Sequence, residues 1–276
     1  MATQDGLISY SGKLGNTVGY RRGKKHFNRS LPKEYNLSES SKNSGTEFGH
    51  GSTACKLTKT AFASLMLRPF KRTLHNRLSE IFRKVIRSGP SVMKGQRSVF
   101  DGNISLLKGF EFSDKAKLES IFKPSPKINL ANGEIKLDFP SFTWDSLMGI
   151  PDHAERAVLS LGLAFLDFKN NIYDFNPAPE LRIDKKSDFP GGSLVLPISG
   201  ANELAILVMM TIFFESGTGK SNSKIDNQLY QAGAFLEAIH LRDGKAVIFE
   251  QEELPEETPS NESVPALIWS LNQDEK

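Results

Sequence analysis

Two apolar stretches constrain this chain most. "ERAVLSLGLAFLDF" (155–168) alternates with a period of two: Leu159, Leu161, Leu163 and Phe165 share one face, and small Ser160, Gly162 and Ala164 share the other. "ELAILVMMTIFFES" (203–216) is apolar through most of its length and can line a core. "EIKLDF" (134–139), "SLVLPI" (193–198) and "NQLYQAGAFLEAIHL" (227–241) continue the series. The intervening "NNIYDFNPAPE", "SDFPGGS" and "GTGKSNSKID" are rich in turn formers. Together they predict an antiparallel β-sandwich of about seven strands, immunoglobulin-like or jelly-roll-like, over residues 99–249. The Leu and Ala content of 155–168 leaves a helix as the alternative for that stretch.

Upstream the period changes. Leu57, Ala61 and Leu65 recur every four residues, then Phe70, Leu74 and Leu78, with Ile81, Phe82 and Val85. Pro69 suits a first helical turn and "SGP" (88–90) a stop, so two helices are expected, about 53–67 and 69–87. A basic linker, "SVMKGQRS", follows. Residues 1–50 hold short β-prone runs, "LISYS", "TVGYRR" and "KHFNRS", punctuated by "GKLGN" and "GKK", which read as hairpins or an extended arm. The end, "EQEELPEETPSNESVPALIWSLNQDEK", is an acidic, proline-broken tail with one apolar cluster. The fold class is therefore α+β: a basic arm (1–50), a helix pair with linker (51–98), the sandwich (99–249) and the tail (250–276).

Residues 1–110 carry 20 Lys+Arg against 6 Asp+Glu, and residues 111–276 carry 15 against 26, so the two parts have net charges of +14 and −11. Such a chain can bind a polyanion, or the acidic part of another copy of itself. No apolar run approaches the roughly 20 residues of a membrane helix, and the start lacks a signal peptide's charged and apolar regions, so synthesis in the cytoplasm is expected. Cys55 has no disulfide partner and is expected to be a buried, idle thiol.

Motifs for chemistry fall short. "ESGTGKS" (215–221) matches only the end of a phosphate loop, because Phe214 stands where the first Gly belongs, and it joins two expected strands. "SGKLGNTVG" lacks the dinucleotide glycine spacing. His26, His50, His75, His153 and His240 are scattered, and Asp184 with Asp188 or Asp138 with Asp145 is what chance gives among 32 acids. No G-x-S-x-G occurs. No catalytic, metal or cofactor residue is assigned, and a non-enzyme is expected.

What remains is binding. A terminal arm without a core of its own, a sandwich body, opposed charges and an apolar plug in the tail indicate a structural, self-assembling protein, its subunits joined through the N-terminal arm and C-terminal tail as a homo-oligomer, filament or phage-like particle. Tyr10, Val18, Tyr20 and Phe27 are assigned to arm contacts, Arg21, Arg22, Lys24 and Lys25 to acidic partners, and Leu267, Ile268 and Trp269 to tail docking. The alternative partner is nucleic acid, since Arg21, Arg22, Lys24, Lys25 and Arg29 interleave with Tyr20, His26 and Phe27. A third reading is a monomeric ligand-binding sandwich with Trp144 at its rim, although Trp144 is better suited to the core or a turn.

"QDGLISYSGKLGNTVGY", "GTEFGHGSTACKLTKTAF" and "GQRSVFDGNISLLKGFEF" together resemble a protein family of Bacteroidota bacteria with no established activity. Its members share a Gly-punctuated start, "EFG" before a helical pair and "GFEF" before a β-rich half. The likeness runs through Phe112 and implies this organisation, but no catalytic residue or cofactor.

Overall fold

The structure, a computed structural model, describes residues 2–3, 10–31, 36–67, 73–124, 126–131, 133–185, 187–198, 203–217 and 222–249. The chain divides into two units, Met1–Asn43 and Ser44–Lys276. The first holds strands β1 (Ala2–Thr3), β2 (Gly12–Leu14), β3 (Thr17–Arg22) and β4 (Lys25–Ser30), all antiparallel, in the order β1-β4-β3-β2. Gly23 opens the two-residue β3–β4 loop at φ 65°, the left-handed backbone that such a hairpin needs at this position. The expected strand "LISYS" falls largely outside the described residues.

The helices are α1 (Glu39–Ala61), α2 (Leu74–Ser88) and the short α3 (Leu118–Ile121). The strands of the larger unit are β5 (Lys127–Ala131), β6 (Glu134–Phe139), β7 (Arg156–Asp167), β8 (Ile172–Pro177), β9 (Leu181–Asp184), β10 (Gly192–Pro197), β11 (Glu203–Ser216), β12 (Ser223–Lys224), β13 (Ala232–Arg242) and β14 (Lys245–Ala246). Seven of these make one antiparallel sheet, ordered β14-β13-β11-β7-β8, with β12 also on β11 and β9 also on β7. The other three make a small antiparallel sheet, β10-β6-β5.

Strands β7 and β11 are paired from Ala205↔Leu166 to Glu215↔Arg156 and are buried on both faces. One face carries Leu159, Leu161, Leu163 and Phe165 beside Ile206, Val208, Met210 and Ile212, and it packs on Ile135 and Leu137 of the small sheet. This is the expected sandwich, and 155–168 is a strand rather than a helix. The opposite face mixes small Ala164, Ala205 and Ala238 with Leu166, Leu207 and Met209, and it receives Leu57, Leu78, Phe82 and Val85 from the helices and Phe62 just past α1. Gly162 belongs to this face: a side chain there would stand 2.5 Å from the Phe175 ring and 3.0 Å from Leu65.

The helix pair and the sandwich therefore share a core. Val99, Phe100, Ile104, Leu107, Phe110 and Phe112, expected within the sandwich, lie in this shared core, between the helices and β13. Residues 109–112 run beside β13 through Gly109 N–H to Phe235 O (2.8 Å) and Phe112 N–H to Gly233 O (2.7 Å).

Helix α1 starts at Glu39, inside the stretch expected to be arm. Ser38 caps it, accepting the Ser41 N–H at 3.2 Å. The polar, Gly-containing first turns carry little apolar period, and their buried anchor is a charge. Glu47 accepts Arg97 Nε at 2.8 Å and Nη2 at 3.0 Å, and also the Gly95 N–H at 2.8 Å. Arg97 Nη1 donates to the Arg87 and Gly89 carbonyls at the end of α2. Burial opposes the Glu47 charge, but the guanidinium bonds outweigh it and hold the carboxyl below its ordinary pKa. Helix α2 begins at Leu74, while Pro69 and Phe70 lie outside the described residues.

Two stability predictions follow from this packing. Arg97→Met should lose about 3–5 kcal/mol by urea denaturation, since it strands a buried carboxylate, while Glu47→Met/Arg97→Met together should lose less. Gly45→Ala and Gly49→Ala, helical sites with open space for a methyl, should each gain about 0.5–1 kcal/mol, whereas Gly102→Ala, which meets the Val85 carbonyl, should be destabilised.

Candidate functional site

The register of the N-terminal sheet sorts its side chains. Lys13↔Val18, Val18↔Arg29, Tyr20↔Phe27 and Arg22↔Lys25 are cross-strand neighbours, so these seven residues share one face. Tyr20 and Phe27 stack at 5.7 Å with their planes 24° apart, and the Arg29 guanidinium lies 5.9 Å from the Tyr20 ring centre. Lys13, Arg22, Lys25 and Arg29 are exposed around the aromatic pair, and residues 10–31 contain no Asp or Glu. The face is a half-buried aromatic patch within a ring of cations.

The other face carries Leu14, Thr17, Gly19, Arg21, His26, Asn28 and Ser30. Tyr10 lies against Gly19, where a side chain would come within 2.5 Å of the Tyr10 carbonyl and 2.8 Å of its ring. The Tyr10 hydroxyl bonds Thr17 Oγ1 at 2.7 Å, and Thr17 Oγ1 donates to Leu14 O at 2.9 Å. The sheet is one layer thick: among the described residues of β2, β3 and β4 only Gly19 is buried.

The residues assigned from sequence thus divide. Val18, Tyr20, Arg22, Lys25 and Phe27 share the aromatic face, Arg21 alternates to the opposite face beside His26, and Lys24 sits in the hairpin loop. Tyr10 packs within the sheet. Leu267, Ile268 and Trp269 lie outside the described residues. Lys13 went unassigned in sequence because only the pairing of β2 with β3 places it beside Val18.

The basic character of α2 is partly absorbed internally. Arg77 donates to the Glu111 carbonyl and lies 5.3 Å from the Phe110 ring centre, and Arg83 lies 5.6 Å from that of Phe48. Arg68, Lys71 and Arg72 lie outside the described residues.

Elsewhere several titratable groups are sealed or paired. Cys55 is fully buried, as expected, with Sγ 3.4 Å from His75 Nδ1, a proximity that sequence spacing did not show. Burial pushes the thiol pKa up, which disfavours the thiolate. A cleft of about 480 Å³ is lined by His50, Asp101, Lys169, Glu203 and Arg242 among others. Glu203 in it is held by Arg242 at 2.5 Å and His240 at 3.0 Å, and Asp101 accepts from Ser98 N–H and Oγ–H, each at 2.7 Å. Asp184 pairs with Arg156 at 2.6 Å, and Asp138 with Lys136 at 2.9 Å. Trp144 is a buried core residue, the setting to which it is better suited, edge-on to Phe214 at 6.4 Å, and it does not stand at a rim. The "GTGKS" stretch lies mostly outside the described residues, between β11 and β12, which pair antiparallel.

No family model and no curated protein matches the chain. Among the described residues no helix is long and apolar enough to cross a membrane.

Glu111 is the outlier among the acids. Burial raises its pKa to about 7, against the Leu118 N–H that it accepts at 3.0 Å. Because the folded state holds this proton more tightly, the stabilisation is complete below the ordinary carboxyl pKa of 4.5 and is lost as pH rises through 7. Glu111→Gln should abolish that slope, which, discounted for the solvent screening of a half-buried group, amounts to on the order of 1 kcal/mol as the difference from wild type in urea denaturation between pH 4.5 and 8.

Proposed function

We propose that the protein is a non-enzymatic assembly component whose N-terminal sheet docks on an acidic partner, another copy of the chain supplying it. One observation carries the reading: the sheet is a single layer that presents half-buried Val18, Tyr20 and Phe27 within a ring of cations. Sheets normally bury one face against a second layer, so this face is suited to one contributed by a partner. The acidic charge is available in the same chain, since residues 111–276 carry a net −11 and the stretch from Glu250 to Glu257 holds five glutamates. Contact between unlike surfaces repeats into a ring or an open filament, and a phage-like particle built of cytoplasmically made subunits is one such setting.

A second reading, single-stranded nucleic acid, draws on the Tyr20–Phe27 pair, because aromatics on a sheet face flanked by cations also suit stacked bases and phosphates.

Light scattering separates these readings. Full-length protein should exceed monomer mass at low salt, and Arg22→Glu/Lys25→Glu/Arg29→Glu should remain monomeric. A wild type that stays monomeric at high concentration and low salt overturns self-assembly, and salt-sensitive binding of an oligothymidylate then favours nucleic acid.

A further inference from the structure

We propose that the groove between the two sheets of the larger unit is the receptor for the chain's own C-terminal apolar segment, Val264–Trp269. The three-stranded sheet is narrower than the sheet it covers and leaves an opening of about 210 Å³ along β10. Leu159, Leu161 and Met210 form its floor, Leu181, Phe189 and Leu194 its walls, and no charged side chain lines it. The space is below the roughly 300–1,000 Å³ of a small-molecule pocket, which favours one or two inserted side chains over a free ligand.

Two further observations select the occupant. Among the described residues strand β10 is the last strand of the small sheet and pairs with β6 alone, so an extended segment can add to its other edge and drop alternate side chains into the groove. Leu267 and Trp269 alternate in that way, and "VPALIW" is the one apolar cluster after Phe249. Pro265 is tolerable because an added strand is an edge strand. Reach is ample: fifteen residue steps from Phe249 to Val264 span up to about 50 Å, against a radius of gyration of roughly 17 Å for a domain of this size. Acidic and polar residues flank the cluster, from Glu262 on one side to Asn272 and Asp274 on the other, and confine insertion to these few positions. The proposal rests on the assembly reading only for whose segment fills the groove.

Cysteine pairing in the full chain tests it. Leu194→Cys with Leu267→Cys should cross-link under mild oxidation about tenfold or more faster than Val92→Cys with Leu267→Cys, as a raised effective concentration requires. Val92 is 94% exposed and far from the groove lining in sequence, and native Cys55 is buried and does not compete. A between-chain product supports both the groove and the assembly reading. A within-chain product supports the groove and overturns tail-mediated assembly. A rate no greater than the control overturns the groove. A second measurement guards against misfolding of the variant: wild type minus Trp269→Phe should give a blue-shifted, acrylamide-shielded tryptophan emission, and a fully quenchable, water-like difference spectrum overturns the proposal.

Discussion

A β-ladder that is dry on both faces must be covered twice, and much of the larger unit answers that demand. β7 and β11 present large aliphatics to one side, and on the other Gly162, Ala164 and Ala205 stand among Leu166, Leu207 and Met209. The large side needs a thin cover, and a three-stranded sheet supplies it. On the other side the small positions leave local depth, and Phe62 fills it, packing edge-on to Phe175 at 5.6 Å and tilted against Phe235 at 5.5 Å. A glycine at 162 is the extreme of the same logic, since it yields its volume to a ring arriving from a neighbouring strand. Close packing of this kind makes the layers interdependent.

Much of this was legible because period reports burial. The alternation in 155–168 named both faces of β7 correctly, and residues 203–216 coincide with β11. The near-four period identified both helices, but it failed where burial was not apolar. Residues 39–50 looked like arm because their anchor is Glu47, a charge whose partner Arg97 lies far along the chain in what reads as a basic linker. Long-range pairing of this kind leaves no periodic trace. The same limit hid the groove, which arises from the unequal widths of two sheets, and the proximity of Cys55 to His75.

In the N-terminal unit, alternation decided which cations act together. A run such as "TVGYRRGKKHFNRS" gives a count of charges, but strand pairing splits them between two faces and a loop. The aromatic face keeps Arg22, Lys25 and Arg29 and gains Lys13 from a third strand. The ring of cations is thus a property of register: a slip of one residue would move Tyr20 and Phe27 apart and turn the cations away. Gly19 and Tyr10 support that register from the opposite face, where any larger residue would lift the tyrosine.

Burial of β7 on both faces also fixes the timescale on which its backbone meets solvent. The described β7 residues from Ala157 to Asp167 are all buried, and the strand is hydrogen-bonded on both edges, to β11 and to β8 and β9. Local fraying cannot expose such amides, so their exchange with deuterium follows the opening of the whole unit. Edge strands such as β8, with exposed Ile172 and Tyr173, open at lower cost. The central strand is therefore a built-in clock for global unfolding.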